Sequence, residues 1–437
     1  MTKHSINREN NPQDLSFSEY QKEKGKLVLF FGMCMGTGKT HAMIEKACAM
    51  KKKGLDVVIG CLHTKDKTIL KKASEIEQIP LKPNGELDIN AILNRNPALV
   101  IIDEMAHYNS SASRHRNRHQ DIEELIDKGI GVFSTLSAIQ LESYSYLITD
   151  AVGNRSLYTV PDIVFEQCDL VIPVECPINE IIQKYKEGNI SYDFLSPKQR
   201  ELFFSEDSLL NLQKNYKSLL TFRKNEIQRK NLAENKIEDA SKSGIRLLVP
   251  ITENRHTERL LQRAKNLSYM MDAPLFAVYI DHSEKLTNRQ QEQLNNNIRL
   301  AYRLGTYVIR TSGDSWVNTM LNVIENEKIT HIVTEKFKRH KWNPWRKTPM
   351  ERLLSKCDAV DIYVLSNEMA FIKEKKEKKK KGKRKRPLYA NIYSRFLLPS
   401  FFLWHFIRYQ TYFLPRRLFT YFFWYFPYNL CYFLQGR

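Results

Sequence analysis

Short apolar runs separated by stretches of helical periodicity recur in two series along the chain. The first series opens on Leu27, Val28, Leu29, Phe30 and Phe31, a run too short for a helix and bounded by glycine, which predicts a buried strand. Residues 41–53 follow with Met43, Ala47 and Met50 at helical spacing; a strand over 54–60 and a helix over 68–79 continue the alternation. Residues 97–104 form the next predicted strand, apolar throughout as in parallel sheets covered on both faces, and ending in Asp103 and Glu104. A helix over 121–128, a strand near 170–174 and a helix over 177–185 close the series. The second series has strands over 245–250, 274–280, 306–310, 329–334 and 359–365, with helices over 255–271, 286–304, 314–328 and 350–355 between them. That order predicts a small doubly wound sheet. Residues 192–242, polar and charged with leucines at 209, 210, 212, 219 and 220, read as a helical connection.

The chemistry sits where the first strand ends. Gly32-Met33-Cys34-Met35-Gly36-Thr37-Gly38-Lys39-Thr40 lies between strand and helix, the order a P-loop needs. Glycines let backbone N–H groups turn onto phosphates, and the helix N-terminus adds its positive end. Gly32, Gly36, Thr37 and Gly38 would form the cradle. Lys39 would reach the β/γ-phosphates, and Thr40 would ligate Mg²⁺. The position five before Gly38, where the usual pattern has glycine, is Met33, and Gly32 stands one residue earlier. In an open α/β sheet, ligands bind beyond the carboxyl ends of the strands, so Asp103 faces the same crevice as a second Mg²⁺ ligand. Glu104 is placed to orient or deprotonate a nucleophile. A solvated acidic turn and a glycine turn without ligand are the plain alternatives.

Composition adds a tail. The formal charge is +19, and residues 373–386 hold eleven Lys/Arg against Glu374 and Glu377, so this run supplies +9 and the rest of the chain +10. Charge placed that unevenly points to an anionic surface met by the tail rather than to a nucleic-acid groove. Seven cysteines without paired or metal-like spacing fit reduced, intracellular thiols. Residues 1–24 are polar, with neither signal peptide nor anchor, and read as a loose arm.

The stretch DEMAHYNSSASRHRNRHQDIEELIDK (103–128), with GKLVLFFGMCMGTGKT before it and GIGVFSTL after, closely resembles the N-terminal cytoplasmic domain of the KdpD family of potassium-responsive sensor kinases. The resemblance runs over about 25–190. It implies an ATP site with Arg114 and Arg118 near the phosphates; on sequence alone those arginines equally suit a solvated basic loop. Two departures touch the surroundings of the cradle: His63 stands where the family usually has glutamate, and Ser137-Ala138-Ile139-Gln140 replaces NVQH.

The second series resembles the universal stress protein domain that follows in the same family. Its loop at 335–347 lacks the glycines of ATP-binding stress-protein domains and holds six Lys/Arg with Trp342 and Trp345, a composition able to grip an anion by charge and stacking. In some relatives this domain binds cyclic di-AMP, and residues 275–279 loosely resemble the strand used there. A partner-facing basic loop is the alternative.

After the basic run, residues 396–407 and 418–434 are dominated by Phe, Tyr, Leu and Trp but are broken by Pro399 and Pro427, and neither reaches the ~20 apolar residues of a spanning helix. Aromatic residues beside arginines suit the headgroup level of a membrane. The chain is thus expected to comprise an arm (1–24), a P-loop domain (25–190), a helical linker (191–243), a stress-protein-like domain (244–366), a polybasic linker (367–395) and a membrane-associating tail (396–437). The family places membrane helices and a histidine-kinase transmitter next, and neither is evident here. The resemblance implies an ATP-binding regulator on the inner face of the plasma membrane, compatible with a homodimer and acting with a histidine kinase, a response regulator or a potassium pump. A serine/threonine kinase acting on the pump and a nucleotide-independent scaffold are the other two readings.

Overall fold

The computed structural model describes residues 24–365 apart from 145–157, 191, 193–194, 235–243, 282–285, 314, 336–347 and 358–359. The arm, the basic loop after the tenth strand, the polybasic run and the aromatic tail all lie outside the described residues. No described helix is long and apolar enough to cross a membrane.

The first sheet collects six strands: β1 (Leu27–Gly32), β2 (Val57–Cys61), β3 (Glu77–Gln78), β4 (Leu99–Ile102), β5 (Gly131–Ser137) and β6 (Leu170–Pro173). Their order is β3-β2-β4-β5-β1-β6, parallel throughout. Alternate residues of β1 serve opposite layers. Val28 and Phe30 pack with Met43, Ile44 and Ala47 of α1 (Lys39–Lys52) and Ile69 of α2 (Lys67–Ala73). Leu27, Leu29 and Phe31 join Ile92 of α3 (Ile89–Arg95) and Ile122 and Leu125 of α4 (Arg118–Asp127). With both faces covered, every residue of β1, β2, β4 and β5 is buried, which is why these strands read as continuous apolar runs.

One sequence expectation needs correcting. The helix expected to reach residue 79 stops at Ala73, and Glu77–Gln78 pair instead with β2 as an edge strand. Ser74 closes the helix, Ile76 still packs into the same core as Ile69 and Ala73, and the polar residues after it add to the sheet.

After α5 (Asp162–Gln167), β6, α6 (Ile178–Lys186) and α7 (Pro197–Phe203) comes α8 (Glu206–Glu234). Leu209, Leu212, Tyr216, Leu219 and Phe222 recur at three- and four-residue steps and are all buried in the first core. The connection is therefore packed onto the first domain along its apolar stripe, and the Tyr216 hydroxyl donates to the Phe31 carbonyl at 3.1 Å.

The second sheet holds β7 (Leu247–Pro250), β8 (Leu275–Asp281), β9 (Tyr307–Ser312), β10 (His331–Glu335) and β11 (Asp361–Leu365), in the parallel order β11-β10-β7-β8-β9. Helices α9 (His256–Met271) and α10 (Asn288–Arg303) cover one face and α11 (Trp316–Asn326) and α12 (Pro349–Leu354) the other. Chain order reverses between β7 and β10, the doubly wound pattern expected from the alternation.

The two sheets are joined through α9. Lys265 Nζ lies 2.7 Å from Glu166 Oε1 of α5, and the Tyr269 hydroxyl lies 3.0 Å from both Asp162 and Glu166. Gln262 and Asn266 donate to the Glu142 and Ser143 carbonyls. All four α9 side chains are buried, and burial raises the carboxyls of Asp162 and Glu166 above their ordinary range, against the opposing pull of Lys265.

Candidate functional site

The loop between β1 and α1 turns sharply at two glycines, Gly36 (φ 84°) and Gly38 (φ 92°), in the left-handed region that side chains resist. Gly32 has a different reason to be glycine: a Cβ there would collide with the Thr37 hydroxyl. Met33, which stands at the usual glycine position, keeps an ordinary backbone and buries its side chain in the first core. The displaced glycine thus does the steric work one residue early. Gly38 caps α1 with no side-chain bond and no acidic residue in the first turn, which leaves the amide end of the helix facing the loop.

Lys39 Nζ donates to the Cys34 carbonyl at 2.7 Å. Burial lowers its ammonium below the ordinary lysine value, opposed by Cys34, Asp103 and Glu104. Thr40 Oγ1 lies 3.3 and 3.2 Å from the two Asp103 carboxylate oxygens. Thr40 follows β1 and Asp103 follows β4, two strands that are not neighbours, since β5 lies between them. The gap is bridged by Thr135 of β5, whose hydroxyl donates to Asp103 Oδ1 at 2.6 Å. The Glu104 and His63 amides approach the same carboxylate at 3.1 and 3.4 Å. Asp103 is 1% exposed, so this ring of donors is what makes a buried carboxylate tenable.

Glu104 adopts φ 57°, a strained backbone for a non-glycine residue. The bond from its N–H to Thr135 Oγ1 at 3.0 Å holds it there. Burial, then the neighbouring Asp103, raises its carboxyl above the ordinary glutamate value, with His63, Arg118 and Lys39 opposing.

The two arginines go elsewhere. Arg118 is completely buried; its guanidinium donates to the Asp103 main-chain carbonyl at 3.0 Å and approaches Glu86 at 3.8 Å. It braces the acidic strand end from beneath. Arg114 pairs with Glu124 of its own helical neighbourhood and donates to Asn90 of α3. Neither bond is with the loop Gly32–Thr40. His63, whose amide approaches the Asp103 carboxylate, stacks its ring on His107 with centroids 6.0 Å apart. The substituted Ser137–Gln140 stretch closes as a short 3-10 turn with a Ser137–Gln140 capping box.

Residues 23–217 match the family model described as KdpD, osmosensitive K⁺ channel His kinase sensor domain. This domain belongs to the KdpD sensor family. The chain is 30% identical to the sensor protein KdpD of Escherichia coli K12 over 74% of its own length and 37% of that relative. It is 28% identical to a putative sensor protein KdpD of a Synechocystis strain over 79% of the chain and 95% of that relative. Similarity over that share of the chain extends past the first domain. The chain thus spans 37% of the E. coli KdpD and nearly all of the Synechocystis one. A universal stress protein from Archaeoglobus fulgidus aligns with 30% of the chain at 11% identity and a TM-score of 0.23, so the description of the second sheet rests on its own strand order.

The residues present suit a magnesium nucleotide. Glycines leave room for phosphate, Lys39 supplies a charge, and Thr40 with Asp103 offers the hydroxyl and carboxylate oxygens a hard cation takes. In the second domain the switch point between β7 and β10 is where a ligand would be expected, but the loop singled out there, 336–347, lies outside the described residues. A cavity of about 590 Å³ opens instead beyond β8 and β9, with Asp281 and Arg310 in its wall.

Proposed function

We propose that this chain is an ATP-binding regulatory protein of the KdpD type in potassium-responsive two-component signalling. The observation that carries the reading is the convergence of Lys39, Thr40 and Asp103 from α1 and the end of β4 on one loop. Bound there, Mg·ATP would supply phosphate charge that Lys39 neutralises and a cation that Thr40 and Asp103 ligate, while Thr135 and Arg118 keep Asp103 in place. Partners on this reading are a histidine kinase, its response regulator or a potassium pump, met at the inner membrane face through the basic and aromatic tail. The second domain would carry the sensing role, with cyclic di-AMP as a candidate ligand.

Adding the purified chain to membranes that hold a potassium-responsive kinase should change phosphorylation of the response regulator, and Lys39→Ala protein should not. An equal effect of both proteins removes the nucleotide from the mechanism.

One observation favours a kinase reading. Glu104 is half-buried, held in a strained backbone, and has a carboxyl that burial and then Asp103 raise above the ordinary glutamate value, the direction that suits a base. Labelled ATP with pump-containing membranes distinguishes the two: label on a pump subunit supports the kinase, and its absence leaves regulation by binding.

A further inference from the structure

The phosphate loop is gripped from outside by a segment that neither the motif nor the acidic strand end includes. Lys184 of α6 donates to the Gly36 carbonyl at 3.1 Å. The Tyr192 hydroxyl accepts from the Met35 N–H at 3.0 Å. Between them in sequence, Ile190 packs so closely on Gly36 that a Cβ at that position would run into its side chain. Ile190 and Tyr192 are buried, and Ile181 anchors α6 beneath them in the first core.

These bonds fix two peptide planes. In a trans peptide the C=O and N–H point in opposite directions. The Cys34–Met35 unit is held at both ends, its carbonyl by Lys39 on the inner side and its N–H by Tyr192 on the outer. The Gly36–Thr37 unit is held at its carbonyl by Lys184, which turns the Thr37 N–H to the opposite side of the loop. An amide held in place is what a phosphate oxygen needs, and glycine on the other side of the unit gives the plane no steric stop of its own.

We infer that Lys184 and Tyr192 are positioning residues of the nucleotide site, which set the inward amides of the P-loop by holding its outer face. Lys184 acts through Gly36 and touches no phosphate in this role. The inference rests on the nucleotide-binding reading and says how that site is kept ready before ligand arrives.

Calorimetric titration of the 437-residue chain with Mg·ADP tests it. Lys184→Met keeps the aliphatic stem and removes the ammonium; Tyr192→Phe keeps the ring and removes the hydroxyl. Each should weaken Mg·ADP about tenfold, the scale of losing one hydrogen bond to a buried group. Lys184→Arg should recover most of the affinity, and the melting temperature of the free protein should hold in all three. Affinity within twofold of wild type in Lys184→Met and Tyr192→Phe overturns the inference alone. A loss that tracks a fall in melting temperature and is not rescued by arginine overturns it in favour of a structural role. A wild-type chain that binds no Mg·ADP removes the nucleotide reading and this inference with it.

Discussion

Thr135 and Asp103 stand on adjacent parallel strands, and the 2.6 Å bond between hydroxyl and carboxylate joins β5 to the acidic end of β4. The same hydroxyl accepts from the Glu104 N–H at 3.0 Å. One side chain therefore sets both the orientation of the metal-ligand candidate and the strained turn that follows it. Thr135→Val is close to isosteric and removes both bonds. It should cost about 1–3 kcal/mol of folding stability in denaturant unfolding. It should also weaken nucleotide in the presence of magnesium more than in chelator. Equal weakening in both would mean that Thr135 does not act through the metal ligand.

Glu142 offers a pH test. Burial raises its carboxyl to about 7, with Arg303 at 2.8 Å pulling it down and Asp162 and Glu258 pushing it up. A folded value above the unfolded one means the folded chain holds the extra proton between them, so stability falls as pH rises from the ordinary glutamate range toward about 7. Glu142→Gln should flatten that part of the profile in thermal melts. An unchanged slope would assign the pH dependence to Asp162 and Glu166, whose buried carboxyls shift in the same direction.

The joint between the sheets depends on a buried ion pair. Lys265→Met leaves Glu166 and Asp162 in a site built for a cation, and breaking a buried pair of this kind costs roughly 3–5 kcal/mol. Chemical denaturation should show that loss, partly recovered when Glu166→Gln is added. A loss near zero would mean the carboxyls are already protonated and Lys265 is held by Phe222 and Tyr269, over whose rings it sits at 5.6 and 4.9 Å.

Much of this arrangement was legible from residue order. The alternation of apolar runs and helical spacing placed the second sheet and β1, β2, β4 and β6 of the first, while β3 and β5 were not among the strands it predicted; Gly36 to Thr40 with Asp103 marked the candidate site, because strand, loop and helix occur within a few residues of one another. Thr135 was not legible: its polarity inside the run Gly131 to Ser137 was the one available signal, and its meaning depends on which strand lies beside it. The partner of Arg114 was not legible for the matching reason. A basic loop beside a phosphate site suggests charge complementarity, but Glu124, ten residues on, takes that charge. Residues 192–242 read as a connection because the partners of their apolar stripe, Phe31 against Tyr216 and Tyr269 against Phe222 among them, are distant in sequence.

The tail carries a prediction grounded in sequence. Eleven basic residues precede two aromatic runs, and each Lys/Arg near anionic lipid gains up to about 1 kcal/mol before screening. Salt weakens that part and leaves ring insertion in place. The whole chain should sediment with membranes, lose only part of that association in high salt, and become soluble when 373–437 are deleted. Finding the whole chain in the soluble fraction at low salt would exclude the tether.

If Lys39, Thr40 and Asp103 form one nucleotide site, Lys39 is the residue on which binding turns. Calorimetric titration with Mg·ATP compares the wild-type chain with Lys39→Ala at matched melting temperature. The account predicts saturable binding to wild type and a loss of at least about tenfold in the variant, the cost of removing a charged hydrogen-bond donor from phosphate. Equal affinity in the two proteins would contradict it.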